Sequence, residues 1–308
     1  MTHSHALIVG EALVDVVVRP DGSSATHPGG SPANVALGLG RLGRDVELLT
    51  ALGDDAHGNL VRAHLEKSHV HLAGGTPAAK TSVATAHLDA HGVATYDFDL
   101  TWSLAPDAVT RPHPLVVHTG SIAAVLEPGG TEVEGVLRQA RATSTLTYDP
   151  NARPTLMGNV RAALARIETF VGLADVVKVS DEDLEWLMPG VDPIDAARQW
   201  AAAGTALVVV TRGGEGSVAI ASGAVIEVPS MRVDVVDTVG AGDSYMGGLI
   251  DGLWSAGLLG GQRREDLASA PASVITAVLE RCARIAAITV SRAGANPPSS
   301  EELEATGA

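Results

Sequence analysis

The sequence predicts an α/β fold: a central, mostly parallel sheet covered by helices on both faces, with a small second β-sheet attached. Three features carry that expectation. Short, near-continuous apolar runs alternate with helical patterns, as parallel strands buried on two faces require. The string Asp237-Thr238-Val239-Gly240-Ala241-Gly242-Asp243-Ser244 joins a strand-like run to an amphipathic helix through a glycine turn. A few extended segments break the alternation and fit no βαβ unit. The 308 residues are 45% hydrophobic, enough for one large core. Residues 1–308 carry no repeat and no Pro/Gly/Ser-rich linker that would divide them, so one domain is expected.

Residues 6–9 are apolar and open the core sheet. Residues 13–19 follow as an extended run with no helix between. Residues 32–42 read as a helix, with Ser31 placed to cap it, Pro32 at its first position and Val35, Ala36, Leu39 and Leu42 as one apolar stripe. Gly43 then falls where a left-handed terminator belongs. Within this helix Gly38-Leu39-Gly40-Arg41-Leu42-Gly43 matches GxGxxG in letters alone. A dinucleotide fingerprint needs a strand before it and a helix after it, and here the order is reversed. Residues 46–52 read as strand and 59–65 as helix. Residues 82–89 and 93–99 are strand-like and joined by Asp89-Ala90-His91-Gly92. They read either as a surface hairpin or, with residues 13–19, as a lid over the open end of the core. Such a lid would be inserted from residues 12–28 and 82–101. Core strands resume at 115–118, 145–149, 176–179 and 206–210. The run 231–236 reads as a strand leading to the glycine turn, after which Met246, Leu249, Ile250, Leu253, Trp254 and Leu258 recur at helical spacing.

Composition excludes several classes of function. The formal net charge is −15 and the lysines are only Lys67, Lys80 and Lys178, which argues against nucleic acid or an anionic membrane as partner. An anionic ligand would have to be met locally, by helix ends, Mg²⁺ and a few placed cations. The lone Cys282 lies in an apolar helical stretch and reads as a core thiol. No apolar run reaches membrane-spanning length, and the first residues lack a basic region followed by an apolar one. A soluble cytoplasmic protein is expected. His69/His71 and His87/His91 have metal-like spacing but no carboxylate or cysteine at ligand spacing, so they read as solvated or lid-lining. A Walker A loop is absent, since no lysine follows a suitable glycine pair.

The chemistry-bearing strings sit at strand ends and helix starts. Glycines around Ala241 let backbone amides converge at the positive end of a helix, which makes an anion site. Asp243 within it reads either as a helix cap or as a base for an alcohol attacking a phosphoryl group. Gly29-Gly30-Ser31-Pro32-Ala33-Asn34 precedes a helix, and Asn34 offers both donor and acceptor atoms to hydroxyls. Tyr148-Asp149-Pro150-Asn151-Ala152-Arg153 ends a core strand, where open α/β sheets bind ligands. Asp149 and Arg153 read alternatively as a surface ion pair. Lys178-Val179-Ser180-Asp181-Glu182-Asp183 and Thr211-Arg212-Gly213-Gly214-Glu215-Gly216-Ser217 also follow strands.

Together these strings resemble the ribokinase-like, or PfkB, family of carbohydrate kinases, from Gly10 to Pro297, and most of all its bacterial fructokinases. D-T-x-G-A-G-D is that family's C-terminal signature and G-G-x-x-A-N its N-terminal one. The resemblance implies a three-layer ribokinase-like fold with a β lid. It implies Asp243 as catalytic base and Gly240, Ala241 and Gly242 as the anion hole. Sugar contacts fall to Asp15, Gly29, Gly30 and Asn34, with the glycines as hinge, and Asn151 and Arg153 face sugar or phosphate. Nucleotide contacts fall to Lys178, Ser180, Thr211, Gly213, Gly216 and Gly242. Ribokinases proper have N-x-x-E where this chain has Ser180 and Asp183, so a water-mediated Mg²⁺ contact falls to a side chain of shorter reach. Ser291-Arg292-Ala293-Gly294-Ala295-Asn296-Pro297 resembles the loop that closes over the adenine. With Asp237, Val239 and Gly294 it implies a monovalent-cation site. ATP, Mg²⁺ and K⁺ are the implied cofactors.

The implied reaction is transfer of the γ-phosphoryl group to a primary hydroxyl of a small neutral sugar, fructose first. A sugar acid such as 2-keto-3-deoxygluconate is the alternative, although residues 82–99 contain no Arg or Lys to meet its carboxylate. From another class, a non-catalytic sugar-binding regulator is the rival; the intact Asp243 and glycine turn speak against it. A lid this small cannot bury both faces, so a homodimer formed lid against lid is expected.

Overall fold

A computed structural model describes residues 4–73, 76–89, 93–105 and 111–305. The chain begins with β1 (Ala6–Val9), β2 (Leu13–Val18), β3 (Ser24–Gly29), α1 (Ser31–Arg41), β4 (Val46–Leu49) and β5 (Ala51–Gly53). It continues through α2 (Ala56–Glu66), β6 (Val70–Leu72), β7 (Thr76–Ala78), β8 (Val83–Leu88), β9 (Ala94–Asp99), β10 (Val116–Gly120) and α3 (Gly129–Ala140). Next come β11 (Thr145–Asp149), α4 (Pro154–Met157), α5 (Val160–Val171), β12 (Val176–Ser180), α6 (Asp181–Leu187), α7 (Pro193–Ala202) and β13 (Leu207–Thr211). The last third holds β14 (Ser217–Ala221), β15 (Ala224–Val228), α8 (Ala241–Ser255), α9 (Arg264–Ala268), α10 (Ala272–Val290) and α11 (Ser300–Ala305).

The central sheet is ordered β15-β14-β13-β12-β11-β10-β1-β4-β6. Every pairing from β6 across to β13 is parallel, and β14 and β15 close one edge antiparallel. Alternate residues of the inner strands serve different cores, the period-2 consequence of the pleat. Ile8, Leu48, Val116, Val176 and Val209 pack with α1, α2, α8 and α10. Leu7, Val117, Leu146, Val177 and Val208 pack with α3, α5, α6 and α7. The predicted layering is therefore found. Cys282 is fully buried in the first of these cores, and burial pushes its thiol up. No helix among the described residues is long and apolar enough to cross a membrane.

Two strand expectations need correction. Residues 46–52 do not run as one strand; Thr50 separates β4 from β5, which leaves the central sheet to pair with β7. Residues 231–236 form no strand at all. The sheet already ends at β15, and the amides of Val236 and Asp237 both donate to the Val290 carbonyl at the end of α10. The segment is tied to a helix end instead of a ladder, which leaves Met231, Val233, Val235 and Val236 exposed.

The second sheet has the order β3-β2-β8-β9, with β2 and β8 parallel and both outer pairs antiparallel. The run at 13–19 and the hairpin thus join as one sheet, while residues 90–92 of its turn lie outside the described residues. Strand β3 went unseen because Pro28 and Gly29 are turn formers, tolerated here at the sheet edge. One face carries Leu13, Asp15, Ala84, Tyr96 and Phe98 towards the carboxyl ends of the core strands. On the other, Val14 is buried in the core that holds Val61 and Leu65 of α2.

Helix α8 lies between α1 and α10, and small residues set its distance from α10. A Cβ at Gly252 would stand 2.8 Å from Val278 Cγ1, and one at Gly248 would stand 2.9 Å from Ile285 Cδ1. Gly252→Val should therefore lower the unfolding free energy by about 1–3 kcal/mol, the usual cost of overpacking, despite its better helix propensity. Urea denaturation reads this; an unchanged midpoint would show slack between the two helices.

Candidate active site

Parallel strands end together, and the chain uses that edge. Glu11 follows β1, Ser121 follows β10, and Asp149, Ser180 and Thr211 close β11, β12 and β13. Between this edge and the lid lies a cavity of about 540 Å³, lined among others by Glu11, Asp15, Asn34, Asn151, Arg153 and Asp243. The start of α8 forms one wall.

Gly240 caps α8 with φ 75°, and a Cβ there would lie 2.6 Å from Ala295 Cβ. Only glycine fits that turn. Asp243 is the third helical residue and makes no capping bond. Its carboxylate instead reaches across the cavity, where Oδ1 accepts from Ser31 Oγ at 2.7 Å and Asn151 Nδ2 at 3.3 Å. Its Oδ2 accepts from Asn34 Nδ2 at 2.8 Å. Of the two readings of Asp243, capping is thereby excluded. The Ala241 amide bonds the Thr238 carbonyl, while the amides of Gly242 and Asp243 have no intrachain partner among the described residues. Unpaired first-turn amides at a helix's positive end suit a phosphoryl anion.

Ser31 is the first site residue that sequence reasoning missed. The actual cap of α1 is Gly30, with φ 105° and space limited to 2.5 Å between a would-be Cβ and the Glu11 carbonyl. Ser31 therefore falls inside the first turn, and its hydroxyl is free to reach Asp243. Nothing in the spacing of two residues so far apart in the chain signals that contact.

Asp149 does not pair with Arg153 at the surface, contrary to one expectation. It is fully buried, with Oδ2 2.8 Å from Lys178 Nζ. Burial pushes the Asp149 carboxyl up to about 6 against the pull of Lys178. Burial draws the Lys178 ammonium down, but Asp149 together with Asp183 and Asp243 outweighs it and the net shift is upward. Lys178 Nζ also lies 3.5 Å from the Gly242 carbonyl, so it stands behind the glycine turn and does not line the cavity. Asp149 Oδ1 accepts the Asn151 amide at 3.2 Å and so steadies Asn151 at φ 36°. Arg153 lines the cavity but curls back, its Nη1 donating to Asn151 Oδ1 at 2.7 Å and the Ala152 carbonyl at 2.9 Å.

Ser180 caps α6 reciprocally with Asp183. Asp183 Oδ1 also accepts the Ala152 amide at 3.0 Å, which anchors the loop after β11. Thr211, Gly213 and Gly216 lie on the same carboxyl edge, with Thr211 beside Ser180 in register, but outside the cavity. Asp237 accepts the Val239 amide at 3.0 Å and the Gly294 amide at 2.8 Å, bonds that hold its carboxyl below the usual range. These bonds clasp the two loops expected around a monovalent cation. Among the described residues no group of three or more His, Cys, Asp or Glu side chains is placed to hold a metal ion. His87 lies 3.2 Å from Asp97 in the lid, and His91 is outside the described residues.

Asp15 projects from β2 over Gly29, where a Cβ would collide with its Oδ2. The cleft walls desolvate it and raise its pKa. Glu11 was the second residue missed. Its Oε2 accepts the Ala123 amide at 3.2 Å, and burial pushes its carboxyl up to about 8. Its burial thus favours the protonated acid at this point of the cavity wall. The signal available was a carboxylate set between a core strand and an apolar run.

The sequence matches the pfkB family carbohydrate kinases across residues 4–302. It is 33% identical over 265 residues to a fructokinase of Rhizobium leguminosarum bv. trifolii, covering 82% of this chain and 81% of the relative. A fructokinase of Escherichia coli is 30% identical over 313 residues, covering 96% of this chain and 97% of its own. The crystal structure of a fructokinase from Xylella fastidiosa with bound ATP superposes with a TM-score of 0.88 at 26% identity, covering 98% of this chain and 97% of that one. Lid, sheet and both signature strings thus converge, and the chain belongs to the pfkB family of carbohydrate kinases, enzymes that phosphorylate sugars with ATP.

Proposed function

We propose that this kinase transfers the γ-phosphoryl group of MgATP to a primary hydroxyl of a small neutral sugar, fructose first, with Asp243 as general base. One observation carries the reading. The Asp243 carboxylate stands beside unpaired helix amides and is held by neutral donors, facing a cavity that also presents Asp15 and Asn34. Asp15 and Asn34 would take sugar hydroxyls, with Gly29 and Gly30 passing close beneath. The attacking hydroxyl would meet Asp243, while the Gly240, Ala241 and Gly242 turn and the α8 dipole would stabilise charge on the transferring group. Asn151 would hold the base and Arg153 would turn to the phosphoryl oxygens. Ser180, Thr211, Gly213 and Gly216 offer the edge along which the nucleotide would lie, with Lys178 bracing Gly242 from behind. When bound with the nucleotide, Mg²⁺ supplies charge neutralisation at the phosphates. Asp183 would reach it through water at most, since its carboxylate already serves the Ala152 amide. Asp237, Val239 and Gly294 would frame a K⁺ ion.

Charge favours a neutral sugar over a sugar acid. Among the residues lining the cavity, Arg153 is the one cation, set against Asp15, Asp243 and the burial-neutralised Glu11. Two relatives named fructokinase point the same way. For the lid, Tyr96 and Phe98 stack with centroids 5.9 Å apart and remain exposed, as does Val93. That surface supports closure over substrate, which would exclude water, and pairing with a second copy as a homodimer. A coupled ADP-release assay over a sugar panel tests the reading: fructose should turn over well ahead of sugar acids. Release independent of any sugar would contradict it.

Asp243→Asn should reduce kcat by roughly 10²–10⁴, the usual worth of a positioned base, with ATP affinity and Tm retained. Turnover near the wild-type rate would remove Asp243 from the chemistry. In sedimentation, the wild type should run as a dimer, and a charged residue at Tyr96 should weaken both association and sugar affinity.

Glu11 gives a test through pH. Its raised pKa means that the folded state favours the protonated acid. That contribution is complete below its ordinary value near 4.5 and is lost as pH rises through about 8. Glu11→Gln keeps the neutral shape, so it should raise Tm above the wild type's at pH above about 8 and match it near about pH 5. Equal melting curves at both would show that Glu11 ionises without cost.

A further inference from the structure

We infer that Ser31 is a positioning residue for phosphoryl transfer: its hydroxyl locks Oδ1 of Asp243 and leaves Oδ2 as the oxygen that receives the substrate proton. This rests on Asp243 as the base. The two carboxylate oxygens are not equivalent. Oδ1 accepts from Ser31 Oγ at 2.7 Å and from Asn151 Nδ2 at 3.3 Å, whereas among the described residues Oδ2 accepts only from Asn34 Nδ2 at 2.8 Å. A hydroxyl donating to a carboxylate at this distance makes a strong, charge-assisted bond.

The donor is also fixed. Ser31 is buried, and it enters α1 straight from Gly30, whose backbone is pressed against the Glu11 carbonyl. Its hydroxyl makes no capping bond to α1, so its preference for local backbone partners yields to the contact with Asp243. Asn34 differs, because its amide can pass to a sugar hydroxyl as that hydroxyl takes its place at Oδ2. Ser31 stays on Oδ1 throughout.

The step then balances. The alcohol oxygen forms its bond to phosphorus as the bond to the leaving nucleotide oxygen breaks, and the alcohol proton moves to Oδ2. A donor already seated on Oδ1 occupies that oxygen and leaves Oδ2 to take the proton. Other charged groups around Asp243 are Lys178 and Asp149 from the sheet beneath, Asp15 from the lid, and Glu11 and Arg153 across the cavity. Ser31→Ala removes none of them.

Ser31→Ala should fold and bind sugar, measured calorimetrically without ATP, as the wild type does. Its kcat should fall about tenfold or more, as expected when a hydrogen bond to a charged group is lost. The acid limb of its kcat/KM profile should move up by about one pH unit. An unchanged kcat and acid limb would overturn the assignment. So would weakened sugar binding with an intact pH profile, which would make Ser31 a sugar ligand. Asp243→Asn serves as the comparator. If that variant is fully active, the base itself is misassigned; if it is inactive while Ser31→Ala is normal, only the role of Ser31 falls.

Discussion

A carboxylate three residues into α8, held by a hydroxyl and two amides from other parts of the chain, is the interaction on which this site depends. Asp243 forms no salt bridge among the described residues. Neutral donors fix its position without cancelling its charge, which suits the proposed role of proton acceptor. The same donors bring together α1, the loop after β11 and the start of α8. The elements proposed to face sugar and phosphate therefore meet at one side chain.

The supports behind that contact form a series. Asn151 reaches Asp243 from a left-handed backbone steadied by Asp149, and Asp149 is held by Lys178. Lys178 in turn lies against Gly242, and Asp183 pins the Ala152 amide on the far side of the loop. Replacing a buried ion pair by apolar residues is often neutral or stabilising, so the Lys178–Asp149 pair is poorly explained by stability alone. Its placement between Asn151 and Gly242 gives it a second use, as a brace for the loop after β11 and the glycine turn together.

Much of this was legible in the sequence, for identifiable reasons. Apolar runs such as 176–179 and 206–210 named the core strands because both their faces are buried. The turn at Gly240 was legible because the backbone there admits nothing larger. The lid was visible as extended runs lacking helices. What stayed hidden depended on contacts between distant residues. Ser31 looked like a cap until Gly30 took that position, and nothing in the sequence signalled that Lys178 pairs with Asp149 beneath the turn. The valines at 231–236 carried a strand's composition, but their amides are taken up by the end of α10 and not by the sheet edge at β15. Glu11 gave no sign of its neutral state, which arises from burial that only the fold creates.

A crystal structure of the protein with fructose and a non-hydrolysable ATP analogue would probe the arrangement most directly. It should show a primary hydroxyl of the sugar hydrogen-bonded to Asp243 Oδ2, with Asn34 turned onto the sugar and the terminal phosphoryl group facing the Gly242 and Asp243 amides. Sugar bound elsewhere, or Asn34 still on Asp243 with no hydroxyl in reach, would contradict the assignment of Asp243 as the base.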